Sequence, residues 1–127
     1  MITMKGYAGK FLRLNLTDQT KEEITLTEDV ARSYIGGKGF GAHLLLSELE
    51  KEVDPLSPEN ILAFFTGPFT GTRAPTSNRY GAFFKSPLTG IWGEAYASGH
   101  LAPQIKRAGY DGIILMGRAS SPIYVSI

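Results

Sequence analysis

The sequence predicts a single α+β domain that combines β-strands with about three short helices. Three observations predict it. Residues 11–16 alternate apolar and polar as a half-buried strand does, residues 27–51 carry apolar side chains at helical spacing, and residues 61–65 and 80–84 are continuous apolar runs. The 127 residues are 43% hydrophobic, which is enough for a real core. We therefore expect residues 1–127 to form one domain.

Charge and composition exclude several classes of protein. Lys and Arg total 13 and Asp and Glu total 12, so no broad basic field would gather nucleic acid or anionic lipid. No apolar run approaches the roughly 18 to 20 residues of a membrane span, and residues 1–6 lack the apolar core of a signal peptide. The absence of cysteine excludes disulfides and thiolate-held zinc or iron–sulfur clusters within these residues. We expect a cytoplasmic protein that binds neither nucleic acid nor membrane.

The chain opens with a predicted hairpin that leads into a helix. Residues 17–20 form a polar turn, and a second strand follows near residues 21–26. Thr27 can cap the helix, and Glu28 and Asp29 in its first turn suit the positive end of the helix dipole. The apolar stripe of this helix consists of Val30, Ala31, Tyr34 and Ile35.

A second helix is predicted over residues 39–51, after glycines at positions 36 and 37 have ended the first. Glu48, Glu50 and Lys51 lie on its solvent side. Residues 54–58 contain two prolines and forbid its continuation. The side chains that this helix is expected to bury are Phe40, Leu44, Leu45 and Leu49.

The second half of the chain predicts central strands and a third helix. The runs at 61–65 and 80–84 suit neighbouring strands that are covered on both faces. The third helix should begin between Ser98 and Pro103, because proline is tolerated only in the first turn. It should end with basic residues before Gly109.

Two further strands are predicted at residues 113–116 and 123–127. A natural domain seldom stops inside an apolar strand. We therefore expect the chain to be part of a longer polypeptide, and a terminal strand held within the sheet is the alternative. Unpaired sheet edges would then favour self-association of the piece into a homo-oligomer.

The glycine-rich segment at residues 36–41 lies at a predicted helix start, where free backbone N–H groups can meet a phosphate. It follows a helix rather than a strand and lacks the G-x-G-x-x-G spacing. It also has Gly39 where a P-loop places Ser or Thr after the lysine. A turn between two helices is the favoured interpretation, and contact with a cofactor or substrate is the alternative.

No catalytic residue can be named from the sequence. His43 lies among leucines and is predicted to be structural, whereas His100 lies beside a small-residue turn and keeps a site role as an alternative. Glu94 and Asp111 are isolated in the sequence, so no acid–base pair is indicated. The loop serines lack a matching base and an oxyanion signature.

The strongest functional signal is the turn-rich stretch of residues 66–90, which carries Arg79 at a predicted strand start. There its planar guanidinium would face a phosphate at the end of the sheet, with a salt bridge at the sheet edge as the alternative. A second anion-binding locus is predicted at the turn Tyr96-Ala97-Ser98-Gly99, at the positive end of the third helix. Together the two loci predict one phosphate-bearing ligand.

Six segments spread along the chain carry a family resemblance. They are GKFLRLNL at 9–16, IGGKG at 35–39, DPLSPEN at 54–60, TGP through RY at 66–80, KSPLTG at 85–90 and KRAGYDG at 106–112. Together, in this order, they resemble the N-terminal domain of tungsten-containing aldehyde:ferredoxin oxidoreductases. The resemblance covers essentially the whole chain.

This resemblance implies antiparallel β-sheets packed in a sandwich, on which a tungsten bis-pterin cofactor (tungstopterin) lies with a magnesium ion joining the pterin phosphates. Arg79 matches the family's pterin-contacting arginine. The second cofactor-binding stretch, commonly Asn-Ser-Gly-Gly, falls on Tyr96, Ala97, Ser98 and Gly99. Tyr96 replaces the asparagine and Ser98 replaces a glycine. A main-chain carbonyl of Tyr96 would still bind magnesium, whereas an amide side-chain ligand would be lost.

For a complete enzyme, the resemblance implies oxidation of an aldehyde to a carboxylate in anaerobic metabolism, with electrons passing through an iron–sulfur cluster to ferredoxin. The cluster cysteines and the substrate pocket belong to downstream domains, so the 127 residues alone are expected to be inactive. A stand-alone pterin-binding or carrier module with separate partners is one alternative. Part of a related tungsten enzyme that reduces an acyl thioester is another, and molybdenum in place of tungsten stays open.

Overall fold

The computed structural model describes residues 4–127. Along the chain its elements are β1 (Lys10–Asn15), β2 (Thr20–Thr25), α1 (Glu28–Tyr34), α2 (Lys38–Glu48), β3 (Ile61–Thr66), β4 (Arg79–Lys85), β5 (Trp92–Ser98), α3 (Leu101–Arg107) and β6 (Gly112–Met116). The strands form one sheet in the order β2-β1-β6-β3-β4-β5. Only β1 and β6 are parallel neighbours among these described strands. The predicted α+β class with three short helices is confirmed, and the open sheet is consistent with one layer of the predicted sandwich.

The first two helices begin at or near the residues that the sequence indicates. Thr27 Oγ1 accepts a hydrogen bond from the Val30 N–H at 3.4 Å, so the predicted cap of α1 is confirmed. Tyr34 and Ile35 are 39% and 61% exposed, so half of the predicted apolar stripe lies outside the core. Helix α2 stops at Glu48, three residues before the predicted end, because the backbone of the next residue is already extended.

The main core lies between one face of the sheet and helices α1 and α2. Residues that are paired across neighbouring strands point to the same face, so Ala63, Phe83 and Ile114 share one face, which we call the helical face. Phe40 of α2 packs there against Phe65, with ring centroids 5.8 Å apart. The buried residues of this cluster are Phe11, Leu26, Ala31, Phe40, Leu44, Leu45, Ile61, Ala63, Phe65, Phe83 and Ile114.

Helix α3 packs on the opposite face of the sheet. Its Ala102 and Ile105 are fully buried. A small cavity at this interface is bordered by Ile105, Phe64 and Ile113. The helix ends as predicted, because Gly109 follows its cap with a φ of +93° that suits glycine.

Asp111 lies at the centre of a buried polar contact. Its carboxylate accepts hydrogen bonds from the N–H groups of Ala8 at 3.0 Å and Gly9 at 2.7 Å, and it forms an ion pair with Lys106. Lys106 Nζ also donates to the carbonyl of Gly6 at 2.7 Å. These contacts fasten the N-terminal segment to the end of α3.

Strand β5 is an element that the sequence did not predict. Tyr96, Ala97 and Ser98 lie in this strand rather than in a turn before the third helix, which is a correction of the prediction. A hairpin joins β4 to β5, and the Ser86 N–H donates to the Ile91 carbonyl at 2.7 Å. β5 forms one edge of the sheet and stays largely exposed, so it has no strong apolar pattern.

The predicted strand at residues 123–127 is wrong. These residues form no strand among the described residues, and their side chains are exposed. An apolar run becomes a strand only when a neighbouring strand accepts its hydrogen bonds. In the part of the chain that the structure describes, none pairs with it.

A strained turn joins α1 to α2. Ile35 has φ +66° and ψ −55°, and the Gly36 N–H donates to the carbonyl of Tyr34 at 2.7 Å. These values describe a classic γ-turn, which is rare and strained for a β-branched residue. The hydroxyl of Tyr7 donates to the carbonyl of Ile35 at 2.7 Å and helps to hold this conformation.

Replacing Ile35 by glycine is expected to raise the free energy of unfolding by about 1 kcal/mol. The reason is that strained backbone costs on the order of 1–3 kcal/mol. The free energy gained by relieving this strain exceeds the cost of the extra conformational entropy that glycine gives the unfolded chain. Urea unfolding measures the change. As a control, Leu46→Gly at an exposed position inside α2 should lower stability by about 1 kcal/mol. A loss of stability in Ile35→Gly would show that the turn is not strained.

Candidate functional site

Arg79 lies where the sequence predicts it, at the start of a strand, and faces one end of the sheet. It is paired in register with Ser98 of the neighbouring edge strand. The two residues border a cleft of about 400 Å³. The residues that line this cleft are Thr76, Ser77, Asn78, Arg79, Ser98, Gly99 and His100. The structure therefore brings Arg79 together with Ser98 and Gly99 of the second predicted locus, whereas Tyr96 and Ala97 lie farther along β5 and do not line the cleft.

The loop that leads to Arg79 is held by its own hydrogen bonds. The buried Thr70 hydroxyl accepts from the Gly67 N–H and donates to the Ser77 carbonyl, both at 3.1 Å. The Asn78 side chain accepts from the Gly71 N–H at 3.2 Å. These hydrogen bonds hold Ser77 and Asn78, which together with Thr76 form this wall of the cleft.

The guanidinium of Arg79 forms no ion pair within residues 4–127. The alternative role that the sequence left open for Arg79, a salt bridge at the sheet edge, therefore has no partner in this part of the chain. Arg79 is exposed at the cleft. An unpaired guanidinium can bind a phosphate through two parallel hydrogen bonds.

The other wall of the cleft is the end of edge strand β5. The hydrogen bond from the Ser86 N–H to the Ile91 carbonyl marks these two residues as a hydrogen-bonded pair of the hairpin. Because bonded and non-bonded pairs alternate along an antiparallel ladder, Ala97 directs its backbone groups toward β4. Tyr96 and Ser98 direct their N–H and C=O groups away from β4, toward the open edge.

The side chain of Tyr96 takes part in a polar group on the helical face. Lys38 Nζ lies 2.9 Å from Glu94 Oε1 and 5.9 Å from the centroid of the Tyr96 ring. The Trp92 indole N–H donates to Glu94 Oε2 at 2.9 Å. We call these four residues, Lys38, Trp92, Glu94 and Tyr96, the Lys38 cluster.

The electrostatics of the Lys38 cluster follow from these contacts. The hydrogen bond from Lys38, reinforced by that from Trp92, lowers the pKa of the Glu94 carboxyl. The same contact with Glu94 raises the pKa of the Lys38 ammonium, and the Tyr96 hydroxyl adds to the effect. Both groups stay charged near neutral pH, so the contact is an ion pair.

The glycine-rich segment before α2 is a turn between helices, as predicted. The Gly37 N–H donates to the Thr66 carbonyl at 3.0 Å. A Cβ atom on Gly39 would lie only 1.9 Å from the Tyr34 carbonyl oxygen. The glycines thus let α2 begin close to the preceding helix and to the sheet.

The two histidines differ in their surroundings. His43 stacks on Tyr34, with ring centroids 4.4 Å apart, which agrees with its predicted structural role. His100 borders the cleft beside Arg79. Within residues 4–127 no three His, Cys, Asp or Glu side chains lie close enough together to hold a metal ion. The described helices include none with the length and apolar character needed to cross a membrane.

Comparison with known proteins gives the family. A family profile described as "Aldehyde ferredoxin oxidoreductase, N-terminal domain" matches residues 11–127. The chain belongs to this family. A tungsten-containing aldehyde ferredoxin oxidoreductase of Pyrococcus abyssi is 50% identical over 124 residues, which is 98% of this chain and 20% of that protein. The protein of the same name from Pyrococcus horikoshii is 48% identical over the same shares.

Two further relatives of this aldehyde ferredoxin oxidoreductase family member carry other names. An "Aliphatic sulfonate oxidoreductase, WOR-like subunit" of Pyrococcus furiosus is 41% identical over 98% of the chain and 20% of that protein. The solved "Active site complex BamBC of Benzoyl Coenzyme A reductase in complex with 1,5 Dienoyl-CoA" matches with a TM-score of 0.89 and 34% identity, over 91% of this chain and 18% of that one. The chain thus spans about one fifth of the length of these relatives.

Proposed function

We propose that the chain is the N-terminal, tungstopterin-binding part of an aldehyde:ferredoxin oxidoreductase. One observation carries the proposal. Arg79, whose guanidinium forms no ion pair within residues 4–127, borders the same cleft as Ser98, and Tyr96 lies two residues before Ser98 in the same edge strand with its backbone facing outward, in a chain that belongs to this family. A phosphate-bearing ligand with a bound cation needs this combination of a fixed positive charge and free carbonyl oxygens.

The residues at the cleft fit such a cofactor. Arg79 would bind a phosphate of the pterin cofactor, and the Ser98 hydroxyl and Gly99 N–H would add hydrogen bonds. The carbonyl of Tyr96 would bind magnesium, so the tyrosine that replaces the family's asparagine is compatible with the site. Ala97 would contribute by keeping β5 in register, because its backbone groups face β4.

When bound, tungstopterin would supply the redox chemistry that converts an aldehyde to a carboxylate. This chain would bind and orient the cofactor. It contains no cysteine, so an iron–sulfur cluster and the contacts to aldehyde and ferredoxin would come from residues outside it, in further domains or a partner subunit. We also propose that the protein works in the cytoplasm.

Replacing Arg79 by alanine in the full-length protein is expected to lower tungsten and pterin content about tenfold or more. Hydrogen bonds to a charged group contribute about 1.5–3 kcal/mol, and 1.4 kcal/mol is a factor of ten in affinity. Metal analysis by mass spectrometry and pterin fluorescence after oxidation measure the change. Arg73→Ala is the matched control, because Arg73 is exposed in the same loop but does not border the cleft. Full metal content in Arg79→Ala would contradict the assignment.

The similarity to the benzoyl coenzyme A reductase complex favours a second candidate function, reduction of an aromatic acyl thioester by a related tungsten enzyme. The two candidates share the cofactor site and differ in substrate. Assays of the full-length protein with ferredoxin and aldehydes, and separately with aromatic coenzyme A thioesters, distinguish them. Turnover of the thioesters without aldehyde oxidation would favour the second.

A further inference from the structure

The Lys38 cluster connects the start of α2 to the edge strand that borders the cleft. Lys38 is the first residue of α2, and Glu94 and Tyr96 lie in β5. On one side β5 pairs with β4, and its other side is an open edge of the described sheet. Lys38 therefore adds a fixed point to a strand that has a neighbour on one side only.

The geometry of the strand links the side chain of Tyr96 to the direction of its carbonyl. Tyr96 directs its side chain to the helical face, where it also packs edge-on against Phe83 with centroids 6.0 Å apart. Its backbone carbonyl points to the open edge, two residues before Ser98, which borders the cleft. Since a rotation of the strand about its axis would move both groups, contacts that hold the ring also hold the carbonyl.

Space for this arrangement is provided by glycines. Gly81 of β4 lies opposite Tyr96, and a Cβ atom there would lie 2.2 Å from the ring of Phe83 and 3.0 Å from that of Tyr96. On the helix side, Gly39 lets α2 begin directly against the end of α1, because a Cβ atom there would meet the Tyr34 carbonyl oxygen.

We propose that Lys38 is a positioning residue for the cofactor site, which holds Glu94 and Tyr96 so that the Tyr96 carbonyl and Ser98 face the phosphate and cation of the ligand. Lys38 itself does not border the cleft. The proposal rests on the proposed function, because it concerns the same site. Lys38, the lysine of the glycine-rich segment, thus orients the site through β5 and does not contact the ligand itself.

The test compares Lys38→Met with Lys38→Arg in the full-length protein. Methionine keeps the apolar stem but removes the charge, so tungsten and pterin content should fall about fivefold, whereas arginine can keep both the ion pair and the ring contact and should restore them. Hydrogen exchange measured by mass spectrometry should become faster in β5 in Lys38→Met and stay unchanged in β3. Lys51→Met, an exposed lysine outside the cluster, is the control.

The charge-reversed pair Lys38→Glu with Glu94→Lys provides a second test, because it restores the ion pair with opposite polarity. We expect it to bind more tungsten than Lys38→Glu alone. Wild-type tungsten content in Lys38→Met, or no recovery in Lys38→Arg, would overturn the positioning role. Arg79→Ala measured in parallel separates the two proposals. If Arg79→Ala loses tungsten and Lys38→Met does not, only the role of Lys38 fails, and if neither loses tungsten, the proposed function fails as well.

Discussion

Asp111→Ala is expected to lower the free energy of unfolding by about 3–5 kcal/mol, because it removes one partner of a buried ion pair. The Asp111 side chain is 1% exposed and that of Lys106 is 10% exposed. The substitution leaves the Lys106 ammonium without its counter-ion and the N–H groups of Ala8 and Gly9 without an acceptor. Urea unfolding monitored by circular dichroism measures the loss.

Two control variants distinguish the cost of burying an uncompensated charge from the cost of losing an ion pair. Lys106→Met combined with Asp111→Ala should be more stable than Asp111→Ala alone, because no uncompensated charge is then buried. Glu23→Ala removes the exposed pair between Glu23 and Lys10 and should cost less than about 1 kcal/mol. A loss in Asp111→Ala no larger than that in Glu23→Ala would show that the buried contact does not fasten the N-terminal segment.

Phe40→Ala is also expected to cost about 3–5 kcal/mol, because it empties the space between α2 and the sheet. Phe40 is 2% exposed, and its ring lies 5.2 Å from that of Phe11 and 5.8 Å from that of Phe65 between centroids. Thermal or urea unfolding gives the change. Because Phe40 lies in the first turns of α2, its loss should also loosen Lys38 and speed hydrogen exchange in β5.

The matched control for this substitution is Phe69→Ala, since Phe69 is 68% exposed in the loop after β3. A surface substitution of this kind changes stability by about 0.5 kcal/mol or less. Phe40→Leu should lie between the two, since it keeps most of the apolar volume. Equal effects of Phe40→Ala and Phe69→Ala would mean that α2 is not held by this aromatic contact.

The sequence predicts the elements whose signals are local. The cap at Thr27, the stop at Gly109 and the two central apolar runs are each visible within a few residues, and the structure has all of them. The strand β5 gives no such signal, because an exposed edge strand needs no apolar side. Residues 123–127 carry an apolar run that is typical of a strand, but they form none within residues 4–127.

The residues of the candidate site also differ in whether a local sequence pattern indicates them. Arg79 stands out because a charged residue follows a polar loop at a strand start, and its place at the cleft agrees with the expectation. Lys38 and Glu94 are far apart in the sequence, and each is typical of a solvated surface. Only the approach of α2 to the helical face brings them together, so no local pattern could have indicated their pair.

The position of β6 has a consequence for how the chain folds during synthesis. This last strand lies between β1 and β3, so without it the N-terminal hairpin and the β3–β4–β5 meander have no shared ladder. The ribosome delivers β1 first and β6 last, and Asp111, which holds Ala8 and Gly9, also emerges late. The hairpin therefore cannot join the rest of the sheet until β6 has been synthesised. Contacts of such long sequence separation make folding slow, and they leave the inner edge of β1 without its partner until β6 has emerged.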